Sequence, residues 1–368
     1  MGTIPNKIET WQMVQPWTKE GEKVTPGKIE RKTIDMPPLN PGEVLVEVAG
    51  CGVCHTDLGY FYDFVPTLQK PPLTLGHEIS GKVIAGKENM IGKEVIIPAV
   101  MPCNNCPICA AGRNNRCLNQ KMPGNSLGIY GGFSSHIVVP ADDLCEVSNR
   151  GSIPLEHLAV VADAISTPYQ AAVRADVKKG DLCVVIGAGG GIGCYMTQMC
   201  KAFGASAVVG IDIVEEKLQR ALKFGATQVI NSKGKSVKDL REAFKTTCKD
   251  NKYPSNFGWK IFECTGTRAG QEIGLEFLSF IGKLIVVGYG TAKLEYMVSR
   301  LMAFDAEMIG TWSCLPKYYP KALEMVLNKT IEMESFVEVK PMSMINKVFE
   351  EIHHAGSPDK RIVLTPDF

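Results

Sequence analysis

Residues 182–193 read Leu182-Cys183-Val184-Val185-Ile186-Gly187-Ala188-Gly189-Gly190-Gly191-Ile192-Gly193, and a second apolar segment, Cys194-Tyr195-Met196-Thr197-Gln198-Met199-Cys200, follows directly. A short apolar run, a cluster of small residues and a helix-forming segment make the opening of a dinucleotide-binding strand–turn–helix unit. Small residues let the backbone approach a pyrophosphate, and the unpaired N–H groups of the helix N-terminus face its charge. Asp212 ends the next apolar run, Ala207-Val208-Val209-Gly210-Ile211, 19 residues after Gly193. An acid there can accept both adenosine-ribose hydroxyls and repels a 2′-phosphate, so the expected cofactor is NAD rather than NADP. Counted without a gap the fingerprint is Ala188-x-Gly190-x-x-Gly193, with alanine at the usual first glycine, unless the first turn is shifted to begin at Gly187. A Gly-rich turn serving packing alone is the competing explanation. Lys217, five residues beyond Asp212, either touches the adenosine ribose or is a solvated lysine on a helix face.

Strand and helix patterns alternate on both sides of this stretch, from about residue 165 through Trp259-Lys260-Ile261-Phe262-Glu263 and Lys283-Leu284-Ile285-Val286-Val287-Gly288. Such alternation predicts a doubly wound parallel sheet. The first 150 residues differ: β-type runs such as Glu43–Cys54 and Lys93–Val100 are punctuated by Gly and Pro. The fold class is α/β, with a β domain over 1–164, a NAD-binding domain over 165–312, and a segment 313–368 whose last run, Lys360–Thr365, returns to the first domain. A length of 368 residues exceeds one ordinary core. Forty basic against 39 acidic side chains leave a net charge of +1, which argues against nucleic acid or an anionic membrane as partner. The N-terminal residues lack a secretory pattern and no apolar run is long enough to span a bilayer, so a cytoplasmic location is expected.

Thirteen cysteines, an odd number, do not suit a secreted disulfide framework. Cys103, Cys106, Cys109 and Cys117 fall in one loop rich in Pro, Asn and Gly, at a spacing that lets four thiolates close a tetrahedral zinc site. An iron–sulfur cluster or two disulfides are the alternatives, but nothing else in the chain points to electron transfer or an oxidising compartment. Four sulfurs leave no open position, so this ion would hold the loop. Gly52-Val53-Cys54-His55-Thr56-Asp57 and Gly76-His77-Glu78 supply a thiolate and an imidazole for a second, open site. The singly placed thiols Cys183, Cys194, Cys200 and Cys264 read as core filler.

These motifs in this order resemble the zinc-containing medium-chain alcohol dehydrogenases over nearly the whole chain: Gly52–Asp57, Gly76–Gly81, the four-cysteine loop, the fingerprint with Asp212, and Arg361. The resemblance implies a GroES-like β domain joined to a Rossmann domain, and two zinc ions per chain. It makes Cys54 and His77 ligands of the catalytic zinc and puts the third in Val161–Tyr169, where this chain has Asp163 in place of the cysteine many relatives carry. A carboxylate keeps the charge but donates less to the metal than a thiolate. Asp163 could instead cap a helix, although Thr167-Pro168 makes a better helix start.

Further roles follow from the same resemblance. Glu78 lies behind the metal, and Thr56 takes the alcohol proton. The histidine that ends the relay in many relatives is replaced here by Gly59, leaving His55 or water as the exit. His55 also matches a position that commonly meets the pyrophosphate. Thr167 and Gly288 border the nicotinamide, and Arg361 pairs with the pyrophosphate. The expected substrate is a secondary ring alcohol carried as a cyclic hydroxyacyl-CoA, and the expected assembly a homo-oligomer, tetramer before dimer. The aromatic run Tyr60-Phe61-Tyr62-Asp63-Phe64 either suits an apolar cyclic substrate or simply packs. Another secondary, polyol or aryl alcohol is the rival substrate, and a non-catalytic zinc- and NAD-binding protein the rival class.

Overall fold

The computed structural model describes residues 4–21, 23–355 and 359–368. Two compact units emerge: residues 1–166, 313–328 and 333–368 form one, and residues 167–312 with 329–332 form the other.

The first unit is built around strand Glu43–Gly52, whose Val44, Leu45 and Val46 are completely buried. It pairs antiparallel with Glu78–Gly86, with His136–Pro140 and, through Val363↔Gly52 and Leu364↔Cys51, with Arg361–Thr365. Arg361–Thr365 in turn runs parallel to Val337–Pro341. The C-terminal run is therefore an inner strand of this sheet, and its Arg361, Ile362, Val363 and Leu364 are all buried. Register has a direct consequence for chemistry. Gly52 faces Glu78, so the chain leaving one strand toward Cys54 and the chain entering the next from His77 meet at the same end of the sheet. Beneath it, Val46, Leu73, Ile79, Phe133, Ile137 and Phe349 form a continuous apolar core that fixes this end in place.

The second unit holds six parallel strands in the spatial order Gln228–Asn231, Ala207–Asp212, Leu182–Ile186, Trp259–Glu263, Lys283–Val286, Glu307–Gly310. Numbered along this unit, that is 3-2-1-4-5-6, the doubly wound order of a dinucleotide-binding sheet. Val184, Val185 and Val209 are fully buried, as expected of strands covered by helices on both faces. The helix Glu215–Lys223 buries Lys217, Leu218 and Ala221, with Ala221 four and three residues after the other two on one face, and starts with Glu215 and Glu216 in the turn where acids favour the dipole. Phe244 meets Trp259 edge to face at 4.9 Å, a contact worth about 1 kcal/mol beyond its buried area.

The sequence placed a helix start at Thr167-Pro168, but the helix spans Ser166–Arg174 and contains both residues. Asp163 closes the short helix Glu156–Ala162 at its C-terminal end, three residues before the next helix begins.

Candidate metal centres and cofactor site

Helix His55–Phe61 begins one residue after Cys54, and the Cys54 N–H donates to Asp57 Oδ2 at 3.0 Å. Asp57 Oδ1 accepts from the Gly76 N–H at 3.0 Å and lies 3.4 Å from His77 Nδ1. One fully buried carboxylate thus ties the start of this helix to the Gly76-His77 turn and sits against the inward nitrogen of the imidazole. On the other nitrogen, His77 Nε2 stands 3.7 Å from Asp163 Oδ2, and Cys54 Sγ stands 3.9 Å from the same oxygen. Burial pulls the His77 pKa down, but Asp57, followed by Asp163 and Cys54, outweighs it and leaves the pKa well above the ordinary imidazole value.

Cys54, His77, Glu78 and Asp163 bring one ligand atom each within 4.8 Å of one another. A tetrahedral ion about 2.0–2.3 Å from each donor requires donor separations of roughly 3.3–3.8 Å. The observed spacings lie at that edge, so the residues fit a zinc ion. Glu78 is already engaged: both of its oxygens face Arg361, Oε2 at 2.9 Å from Nε and Oε1 in contact with Nη2. Glu78 is fully buried and Arg361 only 7% exposed, so this fork is a buried, bidentate ion pair. The resemblance placed Arg361 at the cofactor pyrophosphate; the structure gives it Glu78 as partner, because the inner strand Arg361–Thr365 brings its first residue to the Gly52–Glu78 end of the sheet.

The fit is tight around this pair. A methyl at Gly52 would lie 2.1 Å from Glu78 Oε2. Thr56 is half-buried with Oγ1 3.7 Å from Cys54 Sγ, while His55, on the same helical turn, is exposed. At Gly59 a Cβ would meet Val65 Cγ2 at 3.2 Å, so any side chain there requires Val65 to give by a few tenths of an ångström. The aromatic run after it is used for packing: Tyr60 and Phe61 are buried, Phe61 meets Phe349 edge to face at 5.5 Å, and Tyr62 stacks on His353 at 3.9 Å. Cys51, beside Cys54 in sequence, is fully buried and burial pushes its thiol well above the ordinary value, which leaves it inert.

The four-cysteine loop brings its sulfurs to 3.5 Å (Cys106–Cys109), 3.8 Å (Cys106–Cys117) and 3.3 Å (Cys103–Cys117). These are too long for disulfides, and a central ion about 2.3 Å from each sulfur would set them about 3.8 Å apart. Short helix Pro107–Ala110 starts from Cys106 and turns Cys109 back toward it. The donors are all sulfur, which suits zinc in a closed site.

In the second unit, the fingerprint turn follows Ile186 with Gly187 at φ +79°, a left-handed conformation that favours glycine. A Cβ at Gly193 would fall 1.9 Å from the Gly187 carbonyl oxygen, and one at Gly189 would fall 2.3 Å from Lys217 Cβ. Those contacts let the first turn fold onto the two helices. Asp212 Oδ2 accepts from the Gly189 N–H at 2.9 Å, and Oδ1 from Ile213 and Val214. Lys217 is 7% exposed, which removes the solvated alternative for it. Gly190, Gly191 and Ile192 complete the turn before helix Gly193–Ala202. Thr167 is buried, and Gly288 donates its N–H to the Glu263 carbonyl, pressed so closely on Gly266 that a Cβ would lie 2.1 Å from Gly266 N.

Asp57 is the residue the sequence reading left without a role. Its signal was the aspartate three residues after Cys54, the capping spacing for a helix that starts at His55. Glu263 was missed as well: it is 1% exposed at the end of its strand, and its carboxylate accepts from the Thr265 N–H, the Thr265 hydroxyl and the Gly266 N–H.

A doubly wound dinucleotide-binding unit and a β unit bearing two clusters of metal-ligand residues define a metal-dependent dehydrogenase. Two family models match, the alcohol dehydrogenase GroES-like domain over residues 40–149 and the zinc-binding dehydrogenase over residues 191–328. The chain is 30% identical over 351 residues to an alcohol dehydrogenase of Geobacillus stearothermophilus, covering 91% of this chain and 95% of that one. It is 26% identical over 355 residues to the D-xylulose reductase of Saccharomyces cerevisiae, covering 93% and 96% respectively. The structure of acetophenone reductase from Geotrichum candidum in complex with NAD has the same fold, with a TM-score of 0.82 at 24% identity over 99% of this chain and 98% of that one. The chain belongs to the zinc-type alcohol dehydrogenase family. Among the described residues, no helix is long and apolar enough to cross a membrane.

Proposed function

We propose that this chain oxidises a secondary ring alcohol to the ketone with NAD as hydride acceptor, the substrate being 6-hydroxycyclohex-1-ene-1-carbonyl-CoA and the product 6-oxocyclohex-1-ene-1-carbonyl-CoA, a step of anaerobic benzoyl-CoA degradation. The carbinol C–H leaves as hydride to NAD, the O–H proton goes to solvent, and NADH and the ketone result. The observation that carries the dehydrogenase reading is the cluster of Cys54, His77 and Asp163, three donors of an open zinc site with Glu78 drawn aside by Arg361. When bound, a zinc ion there supplies Lewis acidity that lowers the pKa of an alcohol.

The protein's own groups do the rest. Asp57 stands 3.4 Å from Nδ1 of His77, so its charge favours the proton on that nitrogen and leaves Nε2 toward the metal position. Thr56 beside Cys54 takes the alcohol proton. With Gly59 crowded against Val65, the proton leaves through exposed His55 or through water. Asp212, already holding Gly189, would repel a 2′-phosphate and so selects NAD. Cys103, Cys106, Cys109 and Cys117 hold the second zinc. We assign a homotetramer in the cytoplasm; the exposed edge strand Glu307–Gly310, with Met302 and Met308 on the surface nearby in sequence, supports association through the second unit.

The CoA-linked substrate rests on the sequence resemblance. The loop aromatics lend it no support, since they are occupied in packing. Similarity to D-xylulose reductase favours a polyol as the second reading. The test is NAD reduction by the purified protein with the cyclic hydroxyacyl-CoA, the same ring alcohol without CoA, and xylitol. Preference for the thioester supports the first reading, equal rates with and without CoA overturn it, and preference for xylitol establishes the second.

A further inference from the structure

We infer that Tyr319 is a positioning residue for the metal-binding segment ending in Asp163, and that its hydroxyl joins this segment to the base of the four-cysteine loop. The inference rests on the two-zinc reading above and deepens it. Tyr319 opens helix Tyr319–Leu327, in the part of the chain that comes back to the first unit, and is completely buried. Its hydroxyl donates to the Ala162 carbonyl at 2.7 Å and accepts from the Ala99 N–H at 3.1 Å. The Ser166 hydroxyl donates to the same Ala162 carbonyl at 3.1 Å. Two donors thus occupy both lone pairs of one carbonyl oxygen.

That oxygen belongs to the peptide linking Ala162 to Asp163. Because the peptide is planar, fixing its oxygen fixes the nitrogen and Cα of Asp163, and with them the origin of the carboxylate. Asp163 has left helical geometry, at φ −141° and ψ −54°. The other arm of the Tyr319 hydroxyl reaches Ala99, two residues before Met101. Met101 exchanges both backbone hydrogen bonds with Lys121, at 2.9 and 2.8 Å, and so closes the neck of the loop carrying all four cysteines. One buried oxygen therefore spans the supports of both metal clusters. A hydroxyl that only satisfied two core backbone groups would stabilise the fold but leave the metal unaffected, which makes the two roles separable.

Tyr319→Phe removes that oxygen and keeps the ring. We expect a chelator such as dipicolinate to strip one of the two zinc ions about 10-fold faster from the variant, the usual effect of losing an outer support of a metal ligand. We also expect the visible absorption of cobalt(II), substituted at the exchangeable site, to shift. Ser166→Ala, which removes the other donor to the same carbonyl, should act in the same direction, and it serves if Tyr319→Phe does not fold. A lower unfolding midpoint with unchanged chelation rate and unchanged cobalt spectrum in both variants overturns the positioning role while leaving the metal reading intact. A wild-type chain with no exchangeable second metal overturns both.

Discussion

Arg361→Leu tests the buried pair on which the geometry of the catalytic cluster depends. The substitution leaves the Glu78 carboxylate fully buried, with Asp163 and the Cys54 sulfur close by, and without the guanidinium that forks onto both of its oxygens. Removing one partner of such a pair costs about 3–5 kcal/mol, a large part of the roughly 5–15 kcal/mol that holds a domain folded. Loss of apolar packing adds little, since leucine replaces most of the arginine stem. In Glu78→Gln the acid is neutral, so adding Arg361→Leu to that background should cost at least about 2 kcal/mol less than in the wild type. Urea unfolding of the four zinc-loaded proteins, followed by tryptophan fluorescence, gives the cycle, and the transition to follow is that of the first unit. Arg361→Leu should lower its midpoint by on the order of 1 M. A loss below about 1 kcal/mol, or the same loss in both backgrounds, would refute the argument that Arg361 is there to hold an ionised Glu78.

Gly193→Ala puts a methyl 1.9 Å from the Gly187 oxygen and must distort the fingerprint turn; we expect the NAD dissociation constant to rise at least about tenfold by fluorescence titration, with both zinc ions retained. Arg150 forks onto Glu94 at 2.8 and 3.0 Å, and its hydrogen bonds hold the Glu94 pKa below the ordinary value. A depressed carboxylate contributes stability above its unfolded pKa of about 4.5 and loses it as pH falls through the folded one. Arg150→Met should therefore cost up to about 1 kcal/mol at pH 7, with the difference from wild type vanishing in acid; a difference that grows below pH 4 would contradict the assignment.

How much of this was legible beforehand depended on distance along the chain. The four-cysteine loop was readable because its donors lie within 15 residues of one another, and sulfur spacing alone dictates what such a loop can enclose. The fingerprint is readable because a strand, a turn and a helix N-terminus are consecutive, whereas the burial of Lys217 on the helix Glu215–Lys223 is set only when that helix folds against the turn at Gly189. Asp57 lies inside the Gly52–Asp57 motif, yet its role is not legible there, because its second partner, the Gly76 N–H, arrives from another segment. Glu263 gave no signal, since an acid ending a strand is ordinary until the loop after it folds back to donate.

The sequence by itself determined the alternation of strand and helix, the closed sulfur site and the types of donor available for the open one, all of which follow from local periodicity and short-range spacing. Only the tertiary structure decided that Gly52 faces Glu78, that the last strand enters the sheet beside them, and that Arg361 accordingly closes on Glu78 while Cys54, His77 and Asp163 converge. Cys54 and Asp163 lie 109 positions apart and Glu78 and Arg361 lie 283 apart, and strand register sets their meeting. Register is fixed by burial of alternate side chains across the whole sheet, a collective property that no single motif encodes.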